Sequence, residues 1–230
     1  MNSCKLGVAK LVLIALCFVS TNSHSLETGK YHEVESFPKT LDSECRDGSA
    51  RLYDECGSQV DIIDATVAKA AATGKTALVV YGAEWCVWCF VFDGYIKGNY
   101  RATYYQWEHD TKLDKWVMSE KSNEDAQPDA ERLNRYVADN FVVAHIEGDH
   151  APDGADAING LGLNAEEIDF YPFVAALAKT GTYSGHMFGY EVMQESDKRK
   201  DSNGSSLKSF DRIKLLNRLQ TLRDAAKTQK

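Results

Sequence analysis

Apolar side chains recur at positions 60, 63, 67 and 71 of residues 58–73, SQVDIIDATVAKAAAT, a spacing that predicts an amphipathic helix. Ser58 with Asp61 makes a capping-box-like start, and Gly74 supplies the stop. The pattern then changes. TALVVYG, residues 76–82, is a continuous apolar run with the composition of a buried strand. CVWCFVFDGYIKG follows and predicts a helix that starts at a cysteine pair and ends near Gly98. Residues 99–127 crowd Tyr100, Tyr104, Tyr105, Trp107 and Trp116 among charges. Here YYQWEH and KWVMSE, on either side of the polar turn DTKLD, predict an inserted hairpin. Its aromatics suit a cap over the parent core or, alternatively, a docking surface for a protein partner.

Pro128 opens a further helix, PDAERLNRYVADN, with Leu133, Tyr136 and Val137 on one face. FVVAHIEGD, residues 141–149, is a second buried strand, and APDGADAINGLGLN predicts a short helix and loop. DFYPFVAALAKTGTYSGHMFGY then predicts a strand, a tight turn at 179–181 and a second strand, an antiparallel hairpin. Residues 196–206, SDKRKDSNGSS, read as a solvated linker. The last helix is expected from about Leu207 to Ala226, with Leu207, Phe210, Ile213, Leu216 and Leu219 along one side. There is no internal repeat.

The first 25 residues carry the pattern of an export signal: Lys5 and Lys10, an apolar core from Leu11 to Val19, then small residues at Ser23 and Ser25. That core is far shorter than the roughly 20 residues needed to span a bilayer, so cleavage is expected rather than stable membrane insertion. Leu16, bulky beside Cys17, argues against a lipidated cysteine. Cleavage removes two lysines and no acids, which moves the net charge from −8 to −10. An acidic surface repels nucleic acid and anionic lipid, so neither is expected as a partner. With no Lys-Asp-Glu-Leu-type ending, the expected compartment is a periplasm, with secretion or an endomembrane lumen as the alternative. In a secretory pathway Asn203-Gly-Ser205 would accept a glycan.

The chain after the signal keeps Cys45, Cys56, Cys86 and Cys89, an even count that an oxidising compartment turns into disulfides. Cys45 and Cys56 enclose ten residues within a polar, turn-rich extension, 26–57, and read as a structural staple. A second redox couple that feeds the other pair is the alternative. Cys86 and Cys89, two residues apart, leave three readings: a redox pair, half a metal site, or an inert bond. Cys-x10-Cys beside Cys-x2-Cys departs from zinc spacing. His145, Glu147, Asp149, His150 and Asp153 match no calcium or zinc loop. No phosphate-binding Gly-rich loop or Ser/His/Asp arrangement is present either, and no metal or cofactor is expected.

The order of helix, strand, WCxxC helix, insert, helix, strand, X–Pro before a hairpin and final helix, with AEWCVWC, YPF and the run from Asn140 to Asp149, resembles the thioredoxin superfamily. Within it the closest likeness is to exported thioredoxin-like proteins of the disulfide-interchange type, and it covers roughly residues 58–225. The resemblance implies an α/β, thioredoxin-like fold over 58–230, a central mixed sheet flanked by helices and interrupted by the insert at 99–127. It implies a cis peptide before Pro172, with Tyr171 as a wall of the site and Trp85 and Trp88 against substrate. It also implies that Cys86 attacks, Cys89 resolves, and Cys86–Cys89 is left oxidised. A helix start stabilises the Cys86 thiolate through unsatisfied N–H groups and the helix dipole.

The implied activity is that of an exported thiol–disulfide oxidoreductase acting on protein disulfides and recycled by a further redox partner. Because Val87 and Trp88 stand between the cysteines, where strongly oxidising relatives carry a histidine, the expected direction is reduction or isomerisation. Val80 departs from the family pattern, since thioredoxins carry an aspartate there, six residues before the first cysteine. Glu84 and His145 are the candidate proton relays in its place, and a backbone-bonded strand histidine is the plainer reading of His145. The rival function is a thioredoxin-fold binding module that recruits a protein partner while Cys86–Cys89 stays closed.

Overall fold

The structure is a computed structural model that describes residues 31–42, 44–99, 101–112, 114–124, 127–200 and 206–229. The export signal read in residues 1–25 and the sequon at Asn203–Ser205 lie outside the described residues. So do Tyr100 and the side chains of Tyr104, Tyr105, Trp107 and Trp116.

The elements run as follows: β1 (Ser36–Phe37), α1 (Gln59–Thr73), β2 (Thr76–Gly82), α2 (Val87–Ile96), β3 (Arg101–Asp110), β4 (Lys115–Glu124), α3 (Gln127–Asn140) and β5 (Phe141–Glu147). Then come α4 (Gly154–Gly160), β6 (Phe173–Leu177), β7 (Tyr183–Phe188), β8 (Met193–Lys200), β9 (Ser206–Phe210) and α5 (Arg212–Thr228). Five strands make one mixed sheet in the order β1-β5-β2-β6-β7. β1 and β2 flank β5 in parallel, while β6 runs antiparallel to both β2 and β7.

Successive strand residues face opposite sides, and this alternation divides the core. Leu78, Val80, Val143, Val174 and Ala176 pack with α2, α3 and α5. Val79, Tyr81, Ala144, Ile146 and Ala175 pack with α1 and α4 on the other face. Every residue of β2, β5 and β6 is buried, as their largely apolar runs favour, and β5 takes His145 and Glu147 inward with it. The chain is therefore a mixed α/β protein with a five-stranded mixed sheet flanked by helices. No helix among the described residues is long and apolar enough to cross a membrane.

The capping expectations hold at α1. Ser58 Oγ accepts the Asp61 N–H at 3.2 Å, and Gly74 closes the helix at φ 69°, a left-handed conformation that favours glycine. Its buried face differs from the apolar count. Gln59, Ile62, Ile63, Thr66 and Ala70 turn inward, whereas Val60 is 42% exposed. Gln59 can be buried because its amide donates to the Asp54 and Gly57 carbonyls and accepts the Glu147 N–H.

Two expectations near the C-terminus are corrected. The segment read as a solvated linker belongs in part to a hairpin, β8 paired antiparallel with β9, with Met193 opposite Phe210. The last helix starts later than expected, at the Asp211 N-cap, whose carboxylate accepts the N–H groups of Ile213 and Lys214. Leu207 and Phe210 are strand residues, and Ile213 is 50% exposed. Leu215, Leu216, Leu219 and Leu222 form the buried stripe. The hairpin expected at 99–127 is present as β3 and β4, inserted between α2 and α3 with Asp110 opposite Lys115.

Candidate functional site

Cys86 is the N-cap of α2, with extended φ and ψ of −77° and 99°. This geometry points its sulfur at the open backbone donors of the first turn, and Sγ accepts the Cys89 N–H at 3.1 Å. Cys89 lies one turn on, wholly buried, and is disulfide-bonded to Cys86 across a Cα–Cα distance of 5.3 Å. Cys86 is only 4% exposed. Directly after β2, the turn that carries the pair is held by backbone: the Gly148 N–H donates to Gly82 O at 2.7 Å and the Cys86 N–H to Ala83 O at 2.9 Å.

The Tyr171–Pro172 peptide is cis, and the half-buried Tyr171 ring packs against the cluster that holds both cysteines. Tyr171 also meets Tyr81 edge-on at 5.2 Å, and Trp85 lies 6.0 Å from it. Burial is the main cause that raises the Tyr171 phenol far above its ordinary pKa, so it stays neutral. Trp85, expected against substrate, lies at the surface beside Tyr171. It is 58% exposed, and its indole N–H donates to Asp149 at 2.8 Å. Trp88, expected as an exposed aromatic against substrate, instead packs half-buried on the core with its ring 5.7 Å from Phe210.

The candidate relays separate. Glu84 accepts the backbone N–H groups of Arg51, Leu52 and Tyr53 at 2.9–3.0 Å, so its carboxylate fastens the N-terminal extension to the cysteine turn. Its own N–H donates to the buried Glu147 at 2.8 Å. Burial raises the Glu147 carboxyl above its usual range and outweighs the N–H donors of Asp149, Glu84 and His150. His145 is buried on β5 opposite Val80, where the resemblance leads to the expectation of an aspartate. Its Nε2 lies 3.2 Å from Asp93 Oδ1 of α2, a separation suited to an ion pair though poorly aligned for a hydrogen bond. Sequence reasoning missed Asp93, whose signal was an acid placed seven residues after Cys86 on an otherwise apolar helix.

Burial alone would raise the Asp93 carboxyl, but His145 and the Lys97 ammonium at 2.8 Å prevail and hold it below the usual carboxylate range. A folded-state pKa below the unfolded one stabilises the fold above about pH 4, and that stability is lost as pH falls through the folded value. Glu147, with its raised pKa, acts with the opposite sign. Asp93→Asn is expected to flatten the acid limb of urea unfolding below about pH 4, followed by tryptophan fluorescence. An acid limb as steep as the parent's would show that Asp93 is not held charged.

No known family model matches this chain, and no curated protein or solved structure matches it.

Cys45 and Cys56 are disulfide-bonded across 5.9 Å, as the staple reading expects, with Cys45 buried and Cys56 exposed. A closure around ten residues is worth roughly 3 kcal/mol in the loop-entropy model. The closed loop has a second effect: it carries Tyr53 into full burial beside Ala83, Cys86 and Cys89. Its ring meets the His145 imidazole edge-on at 5.6 Å. Burial, and after it the negative charge of Asp93, raises the Tyr53 phenol well above its ordinary pKa. The neighbouring glycine is required: a β-carbon on Gly82 would lie 2.5 Å from Cys89 Sγ and 2.6 Å from Tyr53 Oη. Among the described residues no group of three or more His, Cys, Asp and Glu side chains gathers as a metal site would need.

Proposed function

We propose that this chain is an exported, thioredoxin-like thiol–disulfide oxidoreductase that reduces or isomerises disulfides in protein clients. The observation that carries the reading is Cys86 at the mouth of α2, bonded to Cys89 with its sulfur on a backbone N–H. That donor, with the positive end of the helix, favours a thiolate once the bond opens. The sheet order and the cis peptide at Tyr171–Pro172 beside the pair are compatible with the same family. Val87 and Trp88 between the cysteines favour the reducing direction.

Cys86 thiolate attacks one sulfur of a client disulfide, and the other client sulfur leaves as a thiolate. Cys89 then attacks Cys86, which frees the second client sulfur and closes Cys86–Cys89. The client gains two electrons, and an external dithiol partner restores the pair.

The low exposure of Cys86 favours one rival, a binding module with a permanently closed bond. Insulin reduction driven by dithiothreitol separates the two. The enzyme reading expects catalysed turbidity from the parent chain and a fall to the uncatalysed rate in Cys86→Ala. A parent chain that never exceeds dithiothreitol alone removes the enzyme reading. An equilibrium potential near −270 mV against glutathione supports a reductant, and one near −120 mV an oxidant.

A further inference from the structure

The Tyr53 hydroxyl is buried without a hydrogen-bond partner among the described residues. Buried hydroxyls are normally satisfied, and an orphan of this kind asks for an explanation. Three features converge on one. The loop that delivers Tyr53 is closed by the Cys45–Cys56 bond and pinned between those cysteines, at Arg51, Leu52 and Tyr53, by the Glu84 carboxylate, so the side chain is placed rather than swept inward by chance. Gly82 leaves the space in which Oη and Cys89 Sγ lie over the same backbone. The first-turn N–H of α2 serves the sulfur of Cys86.

Cys89 is therefore without that help at the moment its sulfur must carry charge, and its full burial keeps bulk water away. We infer that Tyr53 donates a hydrogen bond to the Cys89 sulfur when the Cys86–Cys89 bond is open and holds that sulfur as the resolving thiolate. The inference rests on the proposed redox role of the pair. In the oxidised protein Cys89 has no negative charge to offer, which is why the hydroxyl has no partner there.

The surroundings fit a donor. Asp93, Glu147, Glu84 and Tyr171 face the phenol from α2, the end of β5, the cysteine turn and the residue before Pro172. His145 packs on its ring, and Lys97 balances Asp93. This largely acidic shell keeps the hydroxyl protonated, so Tyr53 donates a hydrogen bond and does not act as the base. In the resolving step Cys89 attacks Cys86, the bond between Cys86 and the client breaks, and the client sulfur leaves. The proton that Cys89 gives up balances the one the client thiolate takes, and Tyr53 keeps its own.

The test measures Cys89 directly in full-length Cys86→Ser, with Cys45–Cys56 intact, through the pH dependence of alkylation by iodoacetamide. Adding Tyr53→Phe keeps the ring and removes the hydroxyl. The midpoint of Cys89 is expected to rise by about one to two pH units, the scale of a lost hydrogen bond to a charged group. An unchanged or lowered midpoint overturns the inference.

A second measurement guards against a packing defect. In the oxidised native chain Tyr53→Phe should leave the melting temperature unchanged or higher, whereas in Cys86→Ser, with Cys45–Cys56 closed, it should lower the melting temperature at pH values above the measured Cys89 midpoint. Equal loss in both states, or failure to fold when oxidised, assigns the hydroxyl a structural job and overturns the inference. If the parent chain fails to reduce insulin, the redox reading falls while the Cys89 titration still reports on Tyr53.

Discussion

Cys89→Ser is expected to stop turnover and leave client protein covalently attached to Cys86. Cys86 keeps its place as the N-cap of α2 and keeps the backbone N–H of residue 89, because that donor is main chain. Its attack on a client disulfide therefore survives. The resolving step does not, since a serine hydroxyl is not ionised near neutral pH and an alkoxide is a poor partner for sulfur. Insulin reduction should fall to the level of dithiothreitol alone. A mixed disulfide with a cysteine-containing client should appear on a non-reducing gel and vanish with excess reductant. Parent-like turnover, or the absence of any adduct, would contradict the division of labour between the two sulfurs.

The largest expected loss of stability lies at Phe210. This fully buried ring ends β9 and receives Tyr95, Trp88 and Phe92 at centroid distances of 5.6, 5.7 and 6.0 Å. All three partners sit on α2. Phe210→Ala removes the ring and leaves a cavity under the helix that carries the cysteines, at a cost of about 3–5 kcal/mol. For a chain of this size that corresponds to a fall in melting temperature of about 6–20 °C. Urea unfolding followed by tryptophan emission reads it, with Trp88 as a local reporter. A loss below about 1 kcal/mol would mean that neighbours close over the gap.

The legible parts of the fold were those where neighbouring residues decide the outcome. TALVVYG and FVVAHIE form β2 and β5 because a largely apolar run has few other places to go. Ser58, Gly74 and the cysteine pair mark their helix ends through local hydrogen bonds. Where burial depended on distant partners, pattern misled. Gln59 and Thr66 face inward on α1 because the Asp54, Gly57, Glu147 and Ile62 backbone groups satisfy them, which no count of apolar positions could register. Asp211 caps α5 only after Leu207 and Phe210 have been drawn into β9, so the apolar spacing was extended across a boundary.

The candidate site divided in the same way. The two cysteines and the X–Pro were visible as short motifs. The apposition of Tyr53, Asp93 and His145 was not, since a loop, a helix and a strand far apart in sequence supply one member each.

The brevity of β1 bears on how copies of the chain meet one another. Strand edges invite further strands, since their free N–H and C=O groups make a ready template. Here that flank of the sheet offers Ser36 and Phe37 and then Pro38, which has no N–H to give. Among the described residues, a second molecule that tried to extend the sheet past β1 would meet two strand residues and then a proline, a poor template for further rungs.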